Sequence, residues 1–321
     1  MKHVFVFDPK AFYNQQWKMD NILDGIGQFF RTQENSDFSV QFSRYRRNAM
    51  AIVQEEAEKA KSNEAIIRIY AIGGEEILFD CMNAVTHFPN MQLAIVPYVE
   101  SNDFLKVFGE GKDEIFKDIP SLVQSEALPT DVIRWGVNYA LNSCYIGMNS
   151  AISKRIKDRK AKLNKGIVIV ISKISSFLSN ILTAFDKHAV RKQYKIFIDD
   201  EDYSGHYSLI HVANAPYLNK RMTGSRDATP DDGILDIALI KSAHPLKTLF
   251  SMRRYSRGKR PKNCVIVQAK KVSVQSDTPM WIQMDNEYFL DTNINLSLIN
   301  HAIQIVAAEG LAYPMPSISA L

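Results

Sequence analysis

Short apolar runs alternate with stretches of helical spacing through the first 127 residues. Val4 to Phe7 is an extended run closed by Asp8-Pro9, and Trp17 to Arg31 places Ile22, Leu23, Ile26 and Phe29/Phe30 at helical spacing. Phe38 to Phe42 reads as a strand, and Arg46 to Lys61, rich in Ala, Glu and Lys, reads as a helix. Ile66, Ile67, Ile69 and Ile72 then favour an extended chain that ends at Gly73-Gly74. The next segment, Glu75 to His87, sets Ile77, Leu78, Met82 and Val85 on one helical face, with acids in its first turn. Gln92 to Pro97 is a further strand, followed by Glu100 to Asp103 and a helical turn through Phe104, Val107 and Phe108. Strands alternating with helices predict a parallel α/β sheet whose loops at the strand C-termini face a ligand crevice.

The pattern changes near Leu128-Pro129. Strands are expected over Val132 to Asn142, Tyr194 to Asp199, Ser208 to Ala213, Ile234 to Ile240, Cys264 to Ala269, Lys271 to Gln275, Trp281 to Met284 and Ile294 to Leu298. Turn chemistry at Asp202 to Gly205, Asp231 to Gly233 and Asp285-Asn286 separates them, and one helical insert falls near Ser172 to His188. The expected architecture is α/β plus all-β: an N-terminal α/β domain over 1–127 and an antiparallel, β-sandwich-like domain over 128–301. The stretch 302–321, with its Ala302 to Ala308 segment, is a candidate to return to the first domain.

Composition narrows the classes. A chain of 321 residues with 46% hydrophobic and 23% charged residues suits a two-domain globular protein. Net charge is only +4, so the whole molecule is not a nucleic-acid-type polycation. Cys81, Cys144 and Cys264 lack metal-ligand spacing and read as buried thiols. The first apolar run is too short for a signal peptide, and Lys173 and several serines interrupt the best span candidate, Gly166 to Phe185. The expected location is the cytoplasm.

Two glycines at a strand end allow close approach to the main chain, and a helix N-terminus beyond them is an anion site in principle. Several motifs then occur in order. Gly73-Gly74-Glu75-Glu76-Ile77 falls where a Gly-Gly-Asp-Gly-Thr turn would stand, with Asp80 and Asn83-Ala84 on the following helix. Pro97 to Phe104 falls where a Pro-x-Gly-Thr-x-Asn-Asp-Phe motif would stand. Asn214-Ala215-Pro216-Tyr217, Asp231-Asp232-Gly233-Ile234-Leu235-Asp236 and Asp285-Asn286-Glu287 complete the set. Over nearly its whole length the chain resembles the diacylglycerol kinase catalytic-domain family, soluble bacterial lipid kinases related to sphingosine kinases and more distantly to NAD kinases.

That resemblance implies an NAD-kinase-like nucleotide domain, a C-terminal β-sandwich and an active cleft between them. It implies an ATP-dependent kinase acting on the hydroxyl of a diacylglycerol-like lipid. Gly73, Gly74, Asn102 and Asp103 are then the nucleotide positions, with Glu75 able to reach a metal. Asp285 becomes the general base, with Glu287 beside it. A structural magnesium would take the Asp232 carboxylate and the carbonyls of Thr229 and Ile234, hard oxygen donors that suit Mg2+.

The departures concentrate where ATP would sit. Glu76 and Ile77 replace a glycine and a threonine, Val99 and Glu100 replace another such pair, and Asp8-Pro9-Lys10 stands for Asn-Pro-x. A carboxylate about 4 Å from a phosphate oxygen costs on the order of 4 kcal/mol per unit charge at an effective dielectric near 20. A lipid-binding pseudokinase of the same fold is therefore the alternative, and a kinase of a soluble substrate is a third, weaker one. Arg253 to Lys262 carries six positive charges and no acid, and a second basic run lies at Lys154 to Lys165. Such a loop suits peripheral contact with an anionic membrane. It lacks the aromatic interleaving of a nucleic-acid platform.

Overall fold

The computed structural model describes residues 1–33, 37–59, 65–98, 102–109, 111–147, 192–219, 222–223, 225 and 227–314. The expected helical insert, the second basic run and the span candidate at Gly166 to Phe185 lie outside the described residues. No helix among the described residues is long and apolar enough to cross a membrane. Two compact units divide the chain. One holds Met1–Val132, Thr229–Asp232 and Ile299–Leu321, and the other holds Ile133–Ala228 and Gly233–Leu298.

In the first unit, β1 (Lys2–Phe7), β2 (Asp37–Phe42), β3 (Ile67–Gly73) and β4 (Met91–Pro97) lie parallel in the order β4-β3-β1-β2. Val4 to Phe7 are fully buried, and every residue of β3 is buried, as expected of a parallel sheet covered on both faces. The intervening helices are α1 (Gln16–Arg31), α2 (Asn48–Lys59) and α3 (Glu75–Val85). Phe30 of α1 stacks on Phe38 of the sheet at 4.6 Å, and within the sheet Phe5 stacks on Tyr70 at 4.3 Å. The turn expected through Phe104 to Phe108 is a 3-10 turn, and α4 (Ile119–Gln124) precedes β5 (Ala127–Trp135).

The second unit is antiparallel. Beyond β5, the run expected as a single strand to Asn142 turns back at Gly136, whose φ of +58° suits glycine, and β6 (Asn138–Ala140) pairs with β5. β7 (Ser143–Gly147), β8 (Gln193–Ile198), β9 (Glu201–Asp202), β10 (Gly205–Ala213), β11 (Tyr217–Asn219), β12 (Met222–Thr223) and β13 (Leu235–Lys241) follow. Then come α5 (Pro245–Tyr255), β14 (Cys264–Ala269), β15 (Lys271–Met284) and β16 (Glu287–Val306). The sheet order is β14-β13-β10-β7-β15-β16, around a core that includes Ile146, Ile210, Val212, Ile237 and Ile282. The two short strands expected at Lys271 to Gln275 and Trp281 to Met284 are one strand, irregular between Gln275 and Met280. The last residues of β16 pair in parallel with β4, Gln304 opposite Gln92 and Ile305 opposite Leu93.

Candidate functional site

The parallel strands of the first unit end on Phe7, Gly73 and Pro97. Gly73 has φ +153°, and a Cβ there would lie 2.9 Å from the Asp8 Cβ and 3.2 Å from the Ile77 Cγ2. The glycine is thus demanded by the neighbouring strand end as well as by backbone angle. Gly74 caps α3 in extended conformation with no side chain to satisfy the helix N–H groups. Glu75 and Glu76 occupy the first turn. Buried Asn102 ties this turn to the 3-10 turn at Phe104–Phe108: its Nδ2 donates to Glu75 Oε1 at 2.9 Å, while its Oδ1 accepts from the N–H groups of Phe104 and Leu105. Asp103 pairs with Lys106. Val99, Glu100 and Ser101 lie outside the described residues.

Asp8 adds a third acid. Its Oδ1 accepts the Lys10 N–H at 3.0 Å. Burial holds its carboxyl above the ordinary range, Lys10 pulls it down and the Glu76 charge pushes it up again. Asp80, one turn into α3, is buried and bridged by Arg47 at 2.7 Å, whose guanidinium lies 4.7 Å from the centre of the Phe79 ring. Asn83 donates to the Phe79 carbonyl inside its own helix. The α3 N-terminus therefore offers backbone donors and carboxylates together. That combination suits a phosphate accompanied by a divalent cation better than a bare anion.

In the second unit the residues from two distant motifs meet on one turn. Asp285 sits between β15 and β16 with φ +47°. One carboxylate oxygen accepts from the Leu141 N–H at 2.7 Å, and the other accepts from Asn142 and Ser143 at 2.9 and 3.0 Å. Its own N–H donates to the Ser143 carbonyl. Fully buried Asn214 grips the same turn from the carbonyl side, its N–H donating to the Asn142 oxygen and its Nδ2 to the Leu141 oxygen. Glu287, two residues beyond Asp285, is buried. Sequence reasoning misses the Leu141–Ser143 turn. An Asn-Ser pair beside a strand start is an ordinary turn signal, and only the fold brings Asp285 and Asn214 onto it.

The loop Thr229–Asp232 belongs to the first unit, and the chain re-enters the second at Gly233. Thr229 Oγ1 donates to Asp232 Oδ2 at 2.8 Å, and the Asp131 N–H donates to the Pro230 carbonyl. Partial burial, then the charges of Asp232 and Asp131, hold the Asp231 carboxyl above its usual range. Such mutual repulsion is what a hard cation such as magnesium would relieve. Among the described residues, however, no cluster of three His, Cys, Asp or Glu side chains is arranged to hold a metal. A metal here would depend on backbone carbonyls.

Known proteins share this fold. The family model of the YegS C-terminal NAD kinase beta sandwich-like domain matches residues 143–307, just over half of the chain. Proteins of Staphylococcus aureus strains Newman and MRSA252, both named as putative lipid kinases, are each 25% identical over 306 residues, covering 94% of this chain and 97% of theirs. A Bacillus anthracis protein solved as "a putative diacylglycerol kinase" shares the fold with TM-score 0.72 at 22% identity, covering 97% of this chain and 98% of that one. The expected α/β and antiparallel halves are both present, and the chain belongs to the family defined by the YegS C-terminal NAD-kinase-like β-sandwich domain.

Proposed function

We propose that this protein is a lipid kinase that moves the terminal phosphoryl group of ATP, with Mg2+, onto the hydroxyl of a diacylglycerol-like lipid from the cytoplasmic side. The observation that carries this reading is the fixing of Asp285 by three backbone N–H groups and its convergence with Asn214 on one turn. Three charge-assisted hydrogen bonds hold the Asp285 carboxylate as a rigid acceptor. Phosphoryl transfer needs mainly positioning, so an aimed acceptor that orients the lipid hydroxyl and takes its proton late is sufficient. The oxygen–phosphorus bond to the lipid forms as the bond to the departing ADP breaks. Glu287 adds negative charge beside Asp285. Gly73, Gly74, Asn102 and Asp103 take the nucleotide in this reading, Glu75 takes its metal, and Thr229, Asp232 and Ile234 hold a structural magnesium.

Transfer of label from γ-labelled ATP to diacylglycerol in mixed vesicles tests the proposal. Labelled phosphatidic acid should form with Mg2+, and Asp285→Asn should lower the rate by about 10²-fold or more. The second reading, a lipid-binding protein without phosphoryl transfer, is favoured by Asp8, Glu75 and Glu76 around the α3 N-terminus. It predicts no label and no thermal stabilisation by millimolar Mg-ATP.

A further inference from the structure

Helix α5 lies on the sheet of the second unit in an unusual orientation. Its inward face is made of Thr248, Ser251 and Tyr255, all buried. Thr248 Oγ1 donates to the Ala243 carbonyl, Ser251 Oγ to Asn263 Oδ1, and the Tyr255 hydroxyl lies 2.6 Å from His211 Nδ1. The large apolar residues of the first turns point the other way: Leu246 is 63% exposed and Phe250 is 65% exposed. They stand four residues apart and so share one face. Continuing along the helix at 3.6 residues per turn, Arg253 and Arg254 fall on the same outward side, flanked by Lys247. All three are exposed.

The stretch of chain that carries this helix has charge of one sign. Between Asp236 and Asp277 the chain contains no Asp or Glu and ten Lys or Arg. Buried polar residues hold the helix down while two bulky apolar side chains and a basic end face outward. In water an exposed Leu–Phe pair lowers solubility without a packing gain. At a bilayer interface it is the apolar half of an amphipathic anchor, and the arginines supply the electrostatic half. Charge complementarity selects the occupant, an anionic lipid surface.

We propose that α5 is a membrane-docking element, with Leu246 and Phe250 entering the headgroup–acyl boundary of an anionic leaflet while Arg253, Arg254 and Lys247 pair with lipid phosphates. This deepens the lipid-kinase reading by assigning the surface through which the chain meets its substrate's bilayer. The test is kept independent of catalysis by using vesicles that contain neither diacylglycerol nor nucleotide.

The experiment is co-sedimentation of the full chain with vesicles of pure phosphatidylcholine and of phosphatidylcholine with phosphatidylglycerol, at 0.1 and 0.5 M salt. Wild type should bind the anionic vesicles at least tenfold more tightly, and high salt should weaken that binding. Arg253→Gln with Arg254→Gln should lose roughly 25-fold on anionic vesicles, about fivefold per charge. Leu246→Ser with Phe250→Ser should lose tenfold or more and bind with no apolar component at high salt. Both pairs are exposed, so an unchanged circular dichroism spectrum and melting point separates lost docking from lost fold. Phe250→Trp should give a blue-shifted emission on anionic vesicles. Equal binding to neutral and anionic vesicles, unaltered binding by both double variants, or an unshifted emission from the Phe250→Trp variant would overturn the proposal. So would selective retention of RNA at these residues in place of vesicles. Failure of lipid phosphorylation with intact vesicle docking would remove the kinase reading and leave this one standing.

Discussion

Gly73 shows how one position can be legible in sequence for an incomplete reason. The double glycine marks a turn that approaches something closely, but the nearest atom to its missing Cβ belongs to Asp8, across the β1–β3 pair. Gly73→Ala should cost about 1–3 kcal/mol in urea unfolding, from backbone strain at φ +153° and from the 2.9 Å contact. Adding Asp8→Gly should recover the contact part and leave the strain part. Full additivity of the two changes would show that the contact has no energetic role. Asp8 also makes a pH prediction. Its folded carboxyl lies above the ordinary 3.8, so between that value and the raised one the folded state holds more proton than the unfolded state. The Asp8 contribution is therefore favourable at low pH and is lost as pH rises through the folded pKa. Asp8→Asn, which keeps an acceptor for the Lys10 N–H, should be more stable than wild type at pH 7, with the gap closing below pH 3.8. Urea midpoints at several pH values measure it, and a gap independent of pH would contradict it. The glycines, Asn102 and Asp285 are visible as motifs. The Asp8–Gly73 contact is not, because it joins residues 65 positions apart through strand pairing alone.

At the scale of elements, the Leu141–Ser143 turn is held from both sides, by Asp285 on its N–H groups and by Asn214 on its carbonyls. Asp285→Ala would strand three backbone donors in a partly buried turn, and each unmade bond of this kind costs roughly 1–3 kcal/mol. We expect a loss of at least about 3 kcal/mol in denaturant unfolding, whereas Asp285→Asn, which keeps one oxygen acceptor, should lose less while losing activity as severely. Equal stability of Asp285→Ala and wild type would mean that the clamp is not formed. Strand identities are readable from alternation, but strand continuity is not. β15 carries Ser276, Asp277, Thr278 and Pro279 at its irregularity, a composition that reads as a break. β16 begins with Glu287 to Asn293, where exposed polar residues dilute the apolar pattern of its later half. The hairpin at Gly136 is hidden for the opposite reason, since its flanks stay apolar enough to look like one strand.

At the scale of the whole molecule, the chain leaves its first unit at Val132, revisits it over Thr229–Asp232 and returns to it at Ile299, so that unit is closed by the end of β16 and the segment beyond it. Ile305 is fully buried opposite Leu93 of β4, and Tyr313 stacks on Phe108 at 5.2 Å while sharing a 2.6 Å hydrogen bond with Thr130. The apolar character of Ala302 to Ala308 makes such a return conceivable from sequence. Its partner is not readable, because a parallel pairing between residues more than 200 positions apart leaves no local trace. Removing atoms from Ile305 should therefore act on the first unit alone. Ile305→Ala deletes buried carbon against β4 and should cost about 2–5 kcal/mol. Native-state hydrogen exchange reads where that cost falls. Amides of β3 and β4 should lose protection by roughly two to three decades, while those of β10 and β13 keep theirs. Equal loss in both sets would mean that the two units open as one cooperative body, and the division at Val132 and Ile299 would then have no thermodynamic content.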